Sequence, residues 1–143
     1  MISLSSVKLE SLEWEDLQKR DYKADVLRLD KIHPVVSGNK WFKLKYYLEG
    51  ISAGKVKTVI TFGGAYSNHI IATACAAQAC NMRSIGIIRG EEPALLSPTL
   101  VSAMHYGMQF KFVSRESYRR KLEDPDIRNY VEAHPDACVI PEG

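Results

Sequence analysis

Two short runs hold the residues of this chain that could do chemistry. The first is Ser37-Gly38-Asn39-Lys40-Trp41-Phe42-Lys43-Leu44, with Lys40 at the start of a helical pattern. An amine that is to attack a carbonyl must be held in place and kept partly deprotonated. A helix N-terminus and a second cation, here Lys43, both disfavour its charged form. Lys40 is therefore a candidate Schiff-base lysine, weighed against the fact that lysines at helix starts are ordinarily solvated.

The second run is Gly63-Gly64-Ala65-Tyr66-Ser67-Asn68-His69, which follows a β-rich segment and leads into an alanine-rich helical pattern. Glycines there let the backbone turn tightly and approach a bound group, and the helix N-terminus offers unpaired N–H donors to an anion. A carboxylate or phosphate is the natural guest. The same residues read equally well as a plain turn with Ser67 as a helix cap. The run is neither Gly-x-Gly-x-x-Gly nor a Walker loop, and it lacks the flanking glycines of a nucleophile elbow. Nucleotide binding and serine-hydrolase chemistry become alternatives.

The elements that must position these runs follow from periodicity. Val26-Leu27-Arg28-Leu29-Asp30 alternates like a half-buried strand, and His33-Pro34 ends it. From Asn39, a plausible N-cap, Trp41, Leu44, Leu48 and Ile51 recur at helical spacing, with Gly54 as the stop. Thereafter a β-rich run, a loop and a helical pattern alternate. Strands are expected at Val56 to Phe62, Arg83 to Ile88, Gln109 to Val113 and Ala137 to Ile140. Helices are expected at Asn68 to Cys80, Ser97 to Tyr106 and Ser117 to Ala133, the last with a break near Pro125. This predicts a three-layer α/β unit with a mostly parallel open sheet and right-handed crossovers. Leu9 to Arg20 lies outside that rhythm and reads as a short helix or an irregular arm.

Bulk properties narrow the function. With 143 residues and 45% hydrophobic content the chain can bury one core. A net charge of +2 gives no case for nucleic acid, so the expected partner is a small molecule or another subunit. Met1 to Lys8 lacks the pattern of a signal peptide, and no segment is apolar for long enough to span a bilayer, which places the chain in the cytoplasm. Histidines at 33, 69, 105 and 134 show no ligand spacing, so no metal is expected. The three cysteines read as small core residues.

Taken together and in this order, the two runs resemble the 1-aminocyclopropane-1-carboxylate deaminase and D-cysteine desulfhydrase family. These are pyridoxal-phosphate enzymes of the tryptophan-synthase-β-like fold, fold type II. The likeness covers nearly the whole chain, down to Ile140-Pro141-Glu142-Gly143. It implies that Lys40 holds the cofactor and later moves the α-proton of a small amino-acid substrate, and that Asn68 hydrogen-bonds the ring hydroxyl of pyridoxal 5'-phosphate. It further implies that Ser67, counted with Lys40 among the catalytic residues, holds the substrate carboxylate with the backbone N–H groups from Ser67 to His69. His69 looks like the desulfhydrase-type version of the loop.

The resemblance also implies a homodimer or other homo-oligomer and two domains. Residues 1–53 would belong to a larger cofactor domain and residues 54–143 would form the small α/β domain. Two departures accompany it. Phe42 stands where the family usually has arginine, and family members continue past Pro-Glu-Gly. The continuation carries a glycine-rich phosphate cup, a partner for the pyridine nitrogen, and tyrosines that help select the reaction. On this reading the chain is an N-terminal portion of such an enzyme, with Val26, Leu27 and Leu29 short of partners. A non-catalytic α/β module that binds an anion or a partner subunit is the competing reading, with a flavodoxin-like nucleotide-binding domain below it.

Overall fold

A computed structural model describes residues 7–52 and 56–142. The chain opens with an arm in which β1 (Leu9–Ser11) and β2 (Asp25–Leu27) pair antiparallel, Leu9 opposite Leu27, around the one-turn helix α1 (Glu15–Gln18). This corrects the expected strand at 26–30, which ends at Leu27 because Leu29–Lys31 winds into a 3₁₀ turn. Arg28 fixes that turn by pairing with Glu10 at 2.5 Å and Asp30 at 2.6 Å. Leu9, Val26 and Leu27 are exposed rather than half-buried.

Helix α2 (Asn39–Ser52) places Lys40 in its first turn, as its periodicity predicts. Leu44, Leu48 and Ile51 are buried along one face against Ala72, Cys75 and Ile140, with Trp41 partly buried beside them. The expected stop at Gly54, and with it the proposed boundary between residues 53 and 54, lies outside the described residues.

The main sheet alternates with helices as expected, with shifted ends. Its elements are β3 (Thr58–Gly63), α3 (Asn68–Ala79), β4 (Arg83–Arg89), α4 (Pro98–His105), β5 (Met108–Val113), α5 (Arg115–Arg120), α6 (Pro125–Glu132) and β6 (Ala137–Ile140). The strands lie in the order β5-β4-β3-β6 and all run parallel. Every residue of β3 is buried, which is what a strand covered on both faces requires.

Alternate side chains feed two layers. Val59 packs with α2 and α3, and Ile70, Ile88 and Leu100 join α3 to α4. Ile60, Phe62, Ile85 and Ile87 meet Tyr118 and Ile127 from α5 and α6 on the other face. Chain order reverses between β3 and β6, so the crevice at their carboxyl ends is the expected ligand position.

Local chemistry sets the helix starts. Ser97, Ser114 and Asp124 each accept a backbone N–H at the N-caps of α4, α5 and α6. The expected helix from Ser117 to Ala133 is divided by a 3₁₀ turn at Lys121–Glu123, and Pro125 opens α6 where its missing N–H costs nothing. The cysteine expectation needs one correction, because Cys75 is buried and Cys138 partly so, but Cys80 is exposed at the end of α3. Among the described residues no three metal-capable side chains converge, and no helix is long and apolar enough to cross a membrane.

Candidate active site

The position of Lys40 is built from the loop before it. His33 Nδ1 accepts the N–H groups of Val35 at 3.1 Å and Val36 at 3.0 Å, and the Val36 side chain is fully buried. Gly38 then turns with φ +59°, a left-handed conformation that other residues rarely adopt, and donates its N–H to Leu29 O at 2.9 Å. The Lys40 N–H reaches Ser37 O at 3.2 Å. These contacts pin both ends of the loop and set the first turn of α2 beside the start of α3. There, Ser37 to Lys40 line a cleft of about 430 Å³ together with Asn68 and Ile71 of α3. Lys40 and Asn68, which belong to two separate runs of the sequence, share this one cleft.

The turn between β3 and α3 is braced from inside. Ser67 donates its N–H to Gly64 O at 3.0 Å, and Ser67 Oγ accepts the His69 N–H at 3.3 Å. The Ser97 hydroxyl, buried at the start of α4, donates to Ala65 O. Two of the three backbone donors expected to meet a substrate carboxylate are therefore engaged within the turn. Ser67 is half-buried and Asn68 exposed, while neither Ser67 nor His69 is among the residues lining the cleft.

The His69 side chain turns inward. Its Nε2 lies 2.9 Å from Thr61 Oγ1, and that hydroxyl donates to Ile140 O at 2.9 Å. Because the Thr61 proton is committed to the carbonyl, Thr61 Oγ1 accepts, and His69 carries its proton on Nε2. The imidazole thus ties α3 to β3 and β6 at the point where chain order reverses. Among the described residues none hydrogen-bonds its buried Nδ1.

Burial, followed by the charges of Lys40 and Lys43, pushes the His69 imidazole down to about 4 from 6.5, against a weaker opposing pull from Glu142. Between those values the unfolded chain takes up a proton that the folded one refuses. Stability should therefore fall as pH drops from about 6.5 to about 4, by up to about 3 kcal/mol, and lose no more to this group below that. Urea midpoints at neutral pH and near the lower end of the window, compared with His69→Gln, would check this. Equal acid slopes in the two proteins would remove His69 as the cause.

Sequence reading missed His33, Thr61 and Ser97 as positioning residues. The available signal for Thr61 was a hydroxyl between the apolar Ile60 and Phe62 in the middle of a buried strand, which a buried network must satisfy.

No protein-family model matches the chain. It is 33% identical over 129 residues to a Thermotoga maritima protein named for 1-aminocyclopropane-1-carboxylate deaminase, covering 88% of this chain and 41% of that one. It is 36% identical over 114 residues to the Arabidopsis thaliana bifunctional D-cysteine desulfhydrase/1-aminocyclopropane-1-carboxylate deaminase, mitochondrial, covering 67% of this chain and 28% of that one. The chain thus spans well under half the length of these relatives. Its fold superposes on a crystal structure described as an ACC deaminase homologue with a TM-score of 0.75 and 23% identity, over 99% of this chain and 43% of the other. That likeness shows a fold-type II architecture.

Proposed function

Because this chain belongs to the 1-aminocyclopropane-1-carboxylate deaminase and D-cysteine desulfhydrase family, we propose that it carries the lysine-bearing portion of a pyridoxal-phosphate-dependent deaminase or lyase acting on a small amino acid. The observation that carries this reading is the shared cleft, in which an amine from the first turn of α2 and a carboxamide from the first turn of α3 line one space. That donor set suits pyridoxal phosphate: a primary amine for its aldehyde and an amide for a ring oxygen. When bound, the cofactor supplies an electron sink for charge developing at the substrate α-carbon.

The chain's own residues supply position and proton transfer. Lys40 Nζ would hold the cofactor and take or return the α-proton, Asn68 would orient the ring, and Ser67 with the N-terminus of α3 would hold the substrate carboxylate. The His69 ring serves from beneath, bracing α3 through Thr61, while its backbone N–H belongs to the carboxylate-holding turn. In this reading residues 1–53 go with a larger cofactor domain and residues 54–143 form the small domain. The assembly is a homodimer or other homo-oligomer, and the compartment is the cytoplasm, although the Arabidopsis relative is named mitochondrial.

Incubation with pyridoxal phosphate, borohydride reduction and peptide mapping tests the assignment. The pyridoxyl mass is expected on Lys40. Its appearance at random on exposed lysines, or not at all, would overturn the reading.

A further inference from the structure

On the sheet face opposite α3, the carboxyl ends of β4 and β5 frame a second cavity of about 560 Å³, lined by Arg89, Arg115, Tyr118, Arg119 and Lys121. Its charge is lopsided. Among the described residues Arg89, Arg115 and Arg119 have no carboxylate within ion-pair distance, whereas the neighbouring Arg120 is held by Asp124 at 2.6 Å. Lys121 pairs with Glu142 at 2.6 Å, and its ammonium also sits 3.5 Å from the centroid of the Tyr118 ring and 4.7 Å from that of Phe62. Four cations thus face one carboxylate. The Arg89 guanidinium, 5.6 Å from the Tyr118 centroid, also reaches back over the site-bearing turn, where a Cβ on Gly64 would stand 3.5 Å from its Nη2.

The second observation is Tyr118 itself. The residue is 5% exposed, and among the described residues its buried hydroxyl has no hydrogen bond of standard geometry, only the Glu142 carboxylate beside it as a loose acceptor. Burial pushes its phenol up, and the Glu142 carboxylate beside it pushes it further, so Tyr118 keeps its proton as a donor. The guanidiniums of Arg89, Arg115 and Arg119 are exposed and, among the described residues, free of carboxylates, so the cavity presents several forked donors to an acceptor with several oxygens. A single carboxylate would leave most of that charge unmatched. A dianion with three or more oxygens matches both the forked guanidiniums and the phenol.

We propose that this cavity is an anion-binding site, distinct from the Lys40 cleft, that takes a phosphate group. The proposal is independent of the chemistry assigned to Lys40. The phosphate can come from a separate phosphorylated metabolite or from the side chain of a substrate whose carboxylate sits at the neighbouring turn.

Titration of the chain with inorganic phosphate at constant ionic strength, followed by amide NMR, tests it. Saturable shifts are expected at residues 115–121. The double variant Arg115→Ala/Arg119→Ala is expected to bind about tenfold more weakly, and Tyr118→Phe, which keeps the packing ring, about threefold more weakly. Lys57→Ala, at the opposite sheet edge, should bind as the parent does. Shifts that do not saturate, or that persist unchanged in both cavity variants, would overturn the proposal. O-phosphoserine then separates the sources: added shifts at residues 64–69 indicate one molecule spanning both places, and shifts confined to 115–121 indicate a separate ligand.

Discussion

Replacing Gly63 with alanine is expected to destabilise the fold by ~3 kcal/mol. A Cβ at that position would lie 2.4 Å from Ile70 Cγ1, 2.8 Å from Ile70 Cδ1 and 3.1 Å from Ser67 Cβ. Ile70, on α3, is fully buried against α4 and β4, so it has no space into which to withdraw. The strain can be relieved only by pushing the start of α3 off the sheet, which would also stretch the His69–Thr61–Ile140 chain. Stability and site geometry should therefore fail together. Gly64→Ala is the control, because its Cβ would meet only the tip of Arg89 at 3.5 Å, and its cost should stay within about 0.5 kcal/mol. Urea denaturation of the two variants checks the contrast. Equal midpoints would mean that the turn yields where the packing says it cannot.

Replacing Lys40 with alanine should abolish pyridoxyl labelling of the chain and slow exchange of a substrate α-proton by roughly a thousandfold. Lys40→Arg should fail equally, because arginine keeps the charge and most of the length but has no free amine to react with an aldehyde. That pair of variants separates a reactive lysine from one that merely attracts an anion. Neither should unfold the protein. Lys40 lies in the first turn of α2, while the helix is anchored further along by Leu44, Leu48 and Ile51. Labelling that survives in both variants would transfer the role to another amine.

Much of the fold was legible because its signals are local. The strand at Ala137–Ile140 and the helix start at Asn68 fall where patterning puts them, since a buried parallel strand and a capped helix each announce themselves within a few residues. The β1–β2 arm was not legible. Three-residue strands carry too little periodicity, and the ion pairs linking Arg28 and Lys31 to Glu10 join residues far apart in sequence. The candidate site was half legible. Residue type and order pointed to Lys40 and Asn68, and the resemblance joined them, but nothing local says that they line the same cleft.

By itself, then, the sequence determined an alternating α/β chain with a lysine and a glycine turn at two helix mouths, because caps, glycines and apolar periods act over one or two turns of chain. Tertiary structure alone decided that the His69 ring points down onto Thr61 rather than outward, and that Tyr118 stands buried among arginines delivered by β4 and α5. The physical reason is the parallel sheet. It gathers the ends of strands distant in sequence along one edge, and which side chains meet there depends on strand order and register, which are long-range properties.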